Sequence, residues 1–368
     1  MKILQVIYES SGSPYGFGGA GVRAYEIYKR LKDRHDITLL CMRYPGARDG
    51  EIGGLRHVFL GTESDSLTKS VLSYTIKAAY YVKSHGNDYD VIVENFLPAT
   101  PTFAGFLTET PVILQVQGIM GYHSLNKYSL FYGLPMYLME RVYPLLYQKF
   151  VFVTDINVQR LMKRSKRHFV VPNGVGRELM QVNGSDGNYI LFLSRIDIYT
   201  KGLDILVDAF AVVAGRFENM KLILAGYEFN SSSVLIDRLP VALRGRIEYA
   251  GFVDGEERVK LLSGATVFVL PSRHEAHPLS ILEAMACGKP VVVSDIPELR
   301  FVEKNRLGLA FRSGSSEDLS EKISLLLEDE ELRGEMGERG RRFAADFTWD
   351  EIAPKFEAAL LEVAHGEG

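Results

Sequence analysis

Residues 267–295 read VFVLPSRHEAHPLSILEAMACGKPVVVSD, and their pattern decides the fold class. Residues 267–270 are an uninterrupted apolar run, short enough for a strand buried on both faces. A polar loop follows from Pro271 to Leu279. Residues 280–287 then read as a short helix, stopped at Gly288 just before Pro290, and residues 291–294 read as a second buried strand. Strand, loop, helix and strand make a βαβ unit, and in such sheets ligands bind at the carboxyl ends of the strands. The loop that carries Arg273, His274, Glu275 and His277 therefore faces an expected binding crevice.

Two carboxylates stand out in the stretch, Glu275 in the loop and Glu283 on the helix, spaced E-x7-E. Carboxylates accept hydrogen bonds from hydroxyls, and helix-start amides attract phosphate oxygens, so a sugar nucleotide suits both groups. Each has a plainer reading. Ser280-Ile281-Leu282-Glu283 matches a capping box, in which Glu283 would bond only the backbone of its own helix. Glu275 could be a solvated loop charge.

The run PSRHEAHPLSILEAMACGKPVVVSD resembles the nucleotide-sugar signature of glycosyltransferase family 4 (group 1), retaining enzymes of GT-B fold. Its E-x7-E, the preceding Pro-Ser and the following A-M-A-x-G-x-P-V-V carry the match. The resemblance implies two facing Rossmann-like doubly wound α/β domains with a cleft between them. It places Glu283 on the ribose hydroxyls, and Glu275 beside the transferred sugar or its phosphate. His277, Leu279 and Ser280 fall among the donor-contacting positions. The chain departs from the family where a small-aromatic-Gly run is usual: here stand Ala276, His277 and Pro278. Proline has no amide hydrogen, so a sugar contact from that backbone donor is lost, and sugar specificity does not carry over.

At 368 residues the chain is long for one core and suggests two domains. Its net charge of −4 favours neither nucleic acid nor an anionic membrane by bulk electrostatics. Cys41 and Cys287 sit in separate apolar runs and read as reduced core residues, with no metal-ligand spacing. The amino terminus runs straight into a strand pattern, and no uncharged apolar run approaches the ~20 residues that span a bilayer. A cytoplasmic protein is expected, with peripheral contact at the inner membrane face left open. The sequons at Asn183 and Asn230 carry no meaning without secretion.

In chain order, residues 3–8 form the first expected strand and residues 20–31 an amphipathic helix. Between them Gly16, Gly18 and Gly21 fit G-x-G-x-x-G, but seven residues separate the strand from the glycines, and the strand over 37–42 ends without a ribose-binding acid. A glycine loop closing on a phosphate or sugar fits better, and Gly18-Gly19 matches the family's Gly-Gly pair. Asp88-Tyr89-Asp90 is a D-x-D with no third ligand, and Asp90 reads as the start of a strand, so no metal is expected. Strand ends deliver Glu94, Asn95, Gln117 and Gly118. Gln117 falls where many family members have histidine, and His123 is the candidate substitute. Residues 122–150 hold eight Tyr and Phe residues, with Gly133 and Pro135 expected to break any long helix. Core packing is the expectation there, with lipid headgroups or an apolar acceptor as the alternative. Lys163, Arg164, Lys166 and Arg167 read as a solvated basic face.

The domains are expected over 1–170 (acceptor side) and 171–345 (donor side), with 346–368 a helix crossing back to the first. Asn173-Gly174 reads as a turn. A new βα alternation begins at Tyr189. The segment from Ser194 to Gly202 places Arg195 and Lys201 at a strand end, where a fork and a point charge suit a diphosphate. It resembles the family's G-R-(loop)-K-G clamp, with Ser194 in place of the usual Gly. By the same resemblance Gly226 lies at a donor-side strand end, and Phe252 and Val253 line the base.

The expected reaction moves a hexose from a UDP-, GDP- or ADP-sugar to a sugar or lipid-linked acceptor hydroxyl with retention, without metal or other cofactor. Arg195, Lys201, Glu275 and His123 are the candidate catalytic groups. Three rivals remain: an epimerase or hydrolase on the same fold, a catalytically silent sugar-nucleotide-binding subunit, and, last, a nicotinamide oxidoreductase.

Overall fold

A computed structural model describes residues 1–366 apart from 14–16, 65, 162–165, 183 and 229–232. Gly16, Lys163, Arg164, Asn183 and Asn230, singled out in the sequence, lie outside the described residues. The chain divides into two compact units: Met1–Asn173 with Trp349–Gly368, and Gly174–Thr348.

The first unit is built on eight strands: β1 (Lys2–Val6), β2 (Asp36–Met42), β3 (Gly50–Ile52), β4 (Leu55–Leu60), β5 (Val91–Asn95), β6 (Val112–Val116), β7 (Lys149–Phe152) and β8 (Arg167–Val170). Their order is β3-β4-β2-β1-β5-β6-β7-β8. Every pairing is parallel except the β3–β4 hairpin. Gly53 and Gly54 turn that hairpin with φ of 60° and 80°, the backbone that a tight two-residue loop demands. The helix Trp349–Ala364 belongs to this unit. It packs on the helix Gly19–Leu31 through an edge contact of Tyr28 and Phe356, with Arg30–Asp350 and His35–Glu357 each 2.6 Å apart.

The second unit carries β9 (Tyr189–Leu193), β10 (Lys221–Ala225), β11 (Ile247–Gly251), β12 (Val267–Leu270), β13 (Val291–Ser294) and β14 (Gly308–Phe311). All pair in parallel, in the order β11-β10-β9-β12-β13-β14. β12 and β13 have the bounds expected from their apolar runs, and both are buried throughout because helices cover both sheet faces. β9 sits between β10 and β12, so the strand order reverses on its two sides. The loops leaving β9 and β12 therefore lie at a topological switch point, where open α/β sheets bind ligands.

Two local expectations are corrected. The helix Leu130–Val142 runs through both Gly133 and Pro135. Gly133 does not break it, because a side chain there would meet the Ser124 carbonyl at 2.7 Å: the glycine serves close packing. Pro135 lies on the exposed side, where the carbonyl of Phe131, one turn earlier, can turn to solvent. The aromatic block is also divided. Tyr143, Tyr147 and Phe150 are core residues, whereas Tyr122, Phe131 and Tyr132 are exposed.

Candidate functional site

In the second unit the β9 loop opens with Arg195 and Asp197, then forms the short helix Ile198–Lys201. Asp197 caps that helix, accepting from the Thr200 amide at 3.1 Å, and also pairs with Arg195 at 3.2 Å. Gly202 ends the helix at φ 67°, and a Cβ there would lie 2.0 Å from the Pro271 carbonyl. Only glycine lets the β9 and β12 loops approach so closely. Gly226, at the end of β10, does the same on the other side: its Cβ would sit 1.9 Å from the Ser194 carbonyl, at φ 142°.

This closeness brings Lys201 and Glu275 together. Lys201 Nζ donates to Glu275 Oε1 at 2.5 Å, and the Ser272 hydroxyl donates to the same oxygen at 2.6 Å. The side chains are 14% and 6% exposed, so the pair is mostly shielded from water. Glu275 is not a solvated loop charge. Arg273 fixes the loop from behind, reaching Asp204 with both terminal nitrogens at 2.8 and 2.6 Å and the Tyr199 carbonyl at 3.0 Å.

The capping-box reading of Glu283 does not hold. The helix runs over Leu279–Ala286, one residue earlier at each end than expected, with Pro278 at its N-cap and no side-chain cap. Ser280 thus lies inside the first turn, and Glu283 two residues beyond the N3 position that a capping box uses. Glu283, 9% exposed, instead accepts from Arg258 on the helix Gly255–Gly264. Arg258 was missed in the sequence because it falls in a run of charges, GEERVK, that reads as a solvated face. Only the burial of its partner singles it out.

The other donor-side candidates divide. Leu279 and Ser280 form the first turn of the helix. His277 packs in an aromatic group with Phe301 and Phe347, centroids 6.3 and 5.9 Å away. Phe252 is exposed beside Gly251, whereas the Val253 side chain is in the core.

In the first unit Gly18 is the N-cap of the helix Gly19–Leu31. The amide of Gly21 is already bonded: the Glu9 carboxylate accepts from it at 2.5 Å, and a side chain on Gly18 would meet Glu9 at 2.9 Å. Glu9 stands at the end of β1, which pairs with both β2 and β5 and so marks this sheet's switch point. Its place was not read from the sequence, since one acid before a glycine loop carries no spacing signal. Glu94 is a buried anchor, accepting from the hydroxyls of Thr102, Tyr143 and Tyr147 and from the amides of Thr102 and Ala104. Gln117 donates to Asn95 at 3.3 Å, and His123 opens the helix His123–Lys127, stacked on Tyr122. Asp90 accepts from the Lys2 amide at 2.7 Å, and Asp88 closes a short 3-10 turn. Among the described residues no three His, Cys, Asp or Glu side chains gather as a metal-ligand group.

Comparison with known proteins agrees with this architecture. Residues 177–343 match the family described as Glycosyl transferases group 1, and residues 17–179 match Glycosyltransferase Family 4. An uncharacterized glycosyltransferase of Methanocaldococcus jannaschii is 27% identical over 358 residues, 95% of this chain and 96% of that protein. This chain is a group 1 glycosyltransferase of family 4. It is therefore an enzyme. A second relative, the N,N'-diacetylbacillosaminyl-diphospho-undecaprenol alpha-1,3-N-acetylgalactosaminyltransferase of Campylobacter jejuni, is 38% identical over 148 residues, 40% of this chain and 35% of that protein. HepE from Anabaena, solved with UDP-glucose, superposes with a TM-score of 0.76 at 20% identity, covering 98% of this glycosyltransferase and 100% of HepE. That likeness is one of fold, two parallel-sheet α/β units of GT-B type.

Proposed function

We propose that this glycosyltransferase moves a hexose from a nucleoside diphosphate sugar, a UDP-sugar first among them, to an acceptor hydroxyl with retention and without a metal ion. The Lys201–Glu275 pair carries the reading. A cation and a carboxylate are held 2.5 Å apart, on loops from β9 and β12, at the switch point of the sheet. The leaving group is a diphosphate, and its departure needs positive charge. Arg195, its side chain 47% exposed, offers a fork to two oxygens, and Lys201 offers a point charge. Glu275 turns a carboxylate toward the same place and suits a sugar hydroxyl; Glu283, held by Arg258, suits the ribose. The UDP-glucose in HepE supports a uridine donor. The Campylobacter relative, named for an undecaprenol-linked substrate, supports a lipid-linked acceptor.

In the proposed step the acceptor oxygen bonds to the anomeric carbon on the face from which the diphosphate oxygen leaves. The bond to that oxygen breaks with its electron pair, and the acceptor proton passes to the departing phosphate. Lys201 and Arg195 bear the charge that develops. Thermal denaturation with UDP-, GDP- and ADP-glucose tests the donor, because a ligand bound only by the folded state raises the midpoint. A shift with UDP-glucose above the other two is expected. No shift with any of the three removes the donor assignment. Transfer assays with and without EDTA, with the product anomer read by NMR, test the remaining clauses.

A further inference from the structure

The helix Leu130–Val142 wears its apolar residues on the wrong side for a soluble surface. Phe131, Leu134, Leu138 and Val142 are 78%, 42%, 50% and 53% exposed. They recur at i, i+3, i+7 and i+11, which is one face of a helix. Leu145, in the 3-10 turn Tyr143–Leu146, extends the line at 61% exposure. The opposite face is anchored: Gly133 packs against the Ser124 carbonyl, and Glu140 is buried, accepting from the amides of Met120 and Gly121 at 2.8 and 2.7 Å. The stripe therefore cannot roll inward without unmaking those contacts.

Charge selects what could cover it. Between Glu109 and Asp155 the chain has one acid, Glu140. Burial raises its pKa and removes it from the surface. Lys127 and Arg141 stand on the two helices, and Lys166 donates to the carbonyls of Pro144 and Leu145 at the far end of the stripe. An apolar stripe whose own segment of chain carries cations and no exposed acid, on a chain whose net charge is negative, matches an anionic bilayer: acyl chains take the apolar face and headgroups the cations. We propose that this face is a membrane-docking surface, on which the first unit lies with the helix Leu130–Val142 in the plane of an anionic lipid interface. No helix among the described residues is long and apolar enough to cross a membrane, so this contact would be peripheral. The inference stands on the surface itself and is independent of the donor assignment.

Flotation of the full chain with vesicles tests it, using phosphatidylcholine alone and an equal mixture with phosphatidylglycerol. Binding to the mixed vesicles is expected, weakened by salt and much weaker on phosphatidylcholine alone. The double substitution Phe131→Ser, Leu138→Ser should lower the vesicle partition coefficient by about tenfold or more, with the thermal midpoint unchanged. Equal flotation of the substituted and native chains overturns the proposal. So does failure of the native chain to float with mixed vesicles. So does a dimer, seen by light scattering, that the double substitution dissociates, since a second copy would then be the occupant. Phe131→Trp supplies a readout that needs no loss of binding. Trp349 is buried, so a blue shift of the added indole on mixed vesicles supports docking, and an unmoved spectrum refutes it.

Discussion

Lys201 and Glu275 form the contact most open to quantitative test. The ion pair is 2.5 Å long and shielded, and the Ser272 hydroxyl is the second donor to the same carboxylate oxygen. Lys201→Met leaves the Glu275 carboxylate buried without its cation, and removing one partner of a shielded pair costs ~3 kcal/mol, the lower end of the range for fully buried pairs. Glu275→Gln leaves an ammonium that is 14% exposed and can recruit water, so its cost is smaller, about 2 kcal/mol. The double substitution removes both charges together and should cost about 3 kcal/mol rather than the sum of 5, a coupling of about 2 kcal/mol. Urea denaturation of the four proteins measures the cycle. In a domain of this size each kcal/mol moves the thermal midpoint by about 2–4 °C, so Lys201→Met should melt about 6–12 °C early. If the double substitution matches the sum of the singles to within about 0.5 kcal/mol, the two side chains are not an energetic unit and the site loses its centre. The same set reports on the donor: Lys201→Met should abolish most of the stabilisation by UDP-glucose. Native-like stabilisation would take Lys201 out of the diphosphate clamp.

Glu283→Gln should weaken UDP binding by roughly 1.5–3 kcal/mol, and Arg258→Leu should act in the same direction; calorimetric titration giving native affinity for both would release the pair from the donor site. Gly226→Ala should destabilise by at least about 2 kcal/mol because its Cβ meets the Ser194 carbonyl, while Gly215→Ala, with nothing nearby, should stabilise by up to about 1 kcal/mol; similar urea midpoints would contradict the close approach. His57 is buried, donates from Nδ1 to the Leu55 carbonyl at 2.8 Å, and has its pKa lowered from 6.5 by desolvation. As pH falls through 6.5 the unfolded chain takes up a proton that the folded chain refuses, so stability falls. His57→Gln should flatten that acid limb, and parallel pH profiles would exclude it. Activity should survive EDTA, and Asp88→Asn should be nearly silent; loss of activity restored by manganese or magnesium would return the D-x-D to the site.

Much of this glycosyltransferase is legible in one dimension. Run length marked β12 and β13 to the residue, because a strand buried on both faces is a near-continuous apolar run, here bounded by Pro271 after β12 and Pro290 before β13. The long signature around Glu275 and Glu283 identified the family, since many positions match together. The tertiary structure decided what spacing cannot carry. Glu283 meets Arg258, Glu275 meets Lys201, and Glu9 occupies the amide that a glycine loop seemed to leave open. Those partners stand 25, 74 and 12 residues apart, and no local rule selects among the charges at such separations. The aromatic block shows the limit from the other side. Tyr143 and Phe131 belong to the same composition, yet one is core and the other surface. Which face of that helix turns inward depends on what Gly133 and Glu140 pack against, and that is known only once the chain has folded.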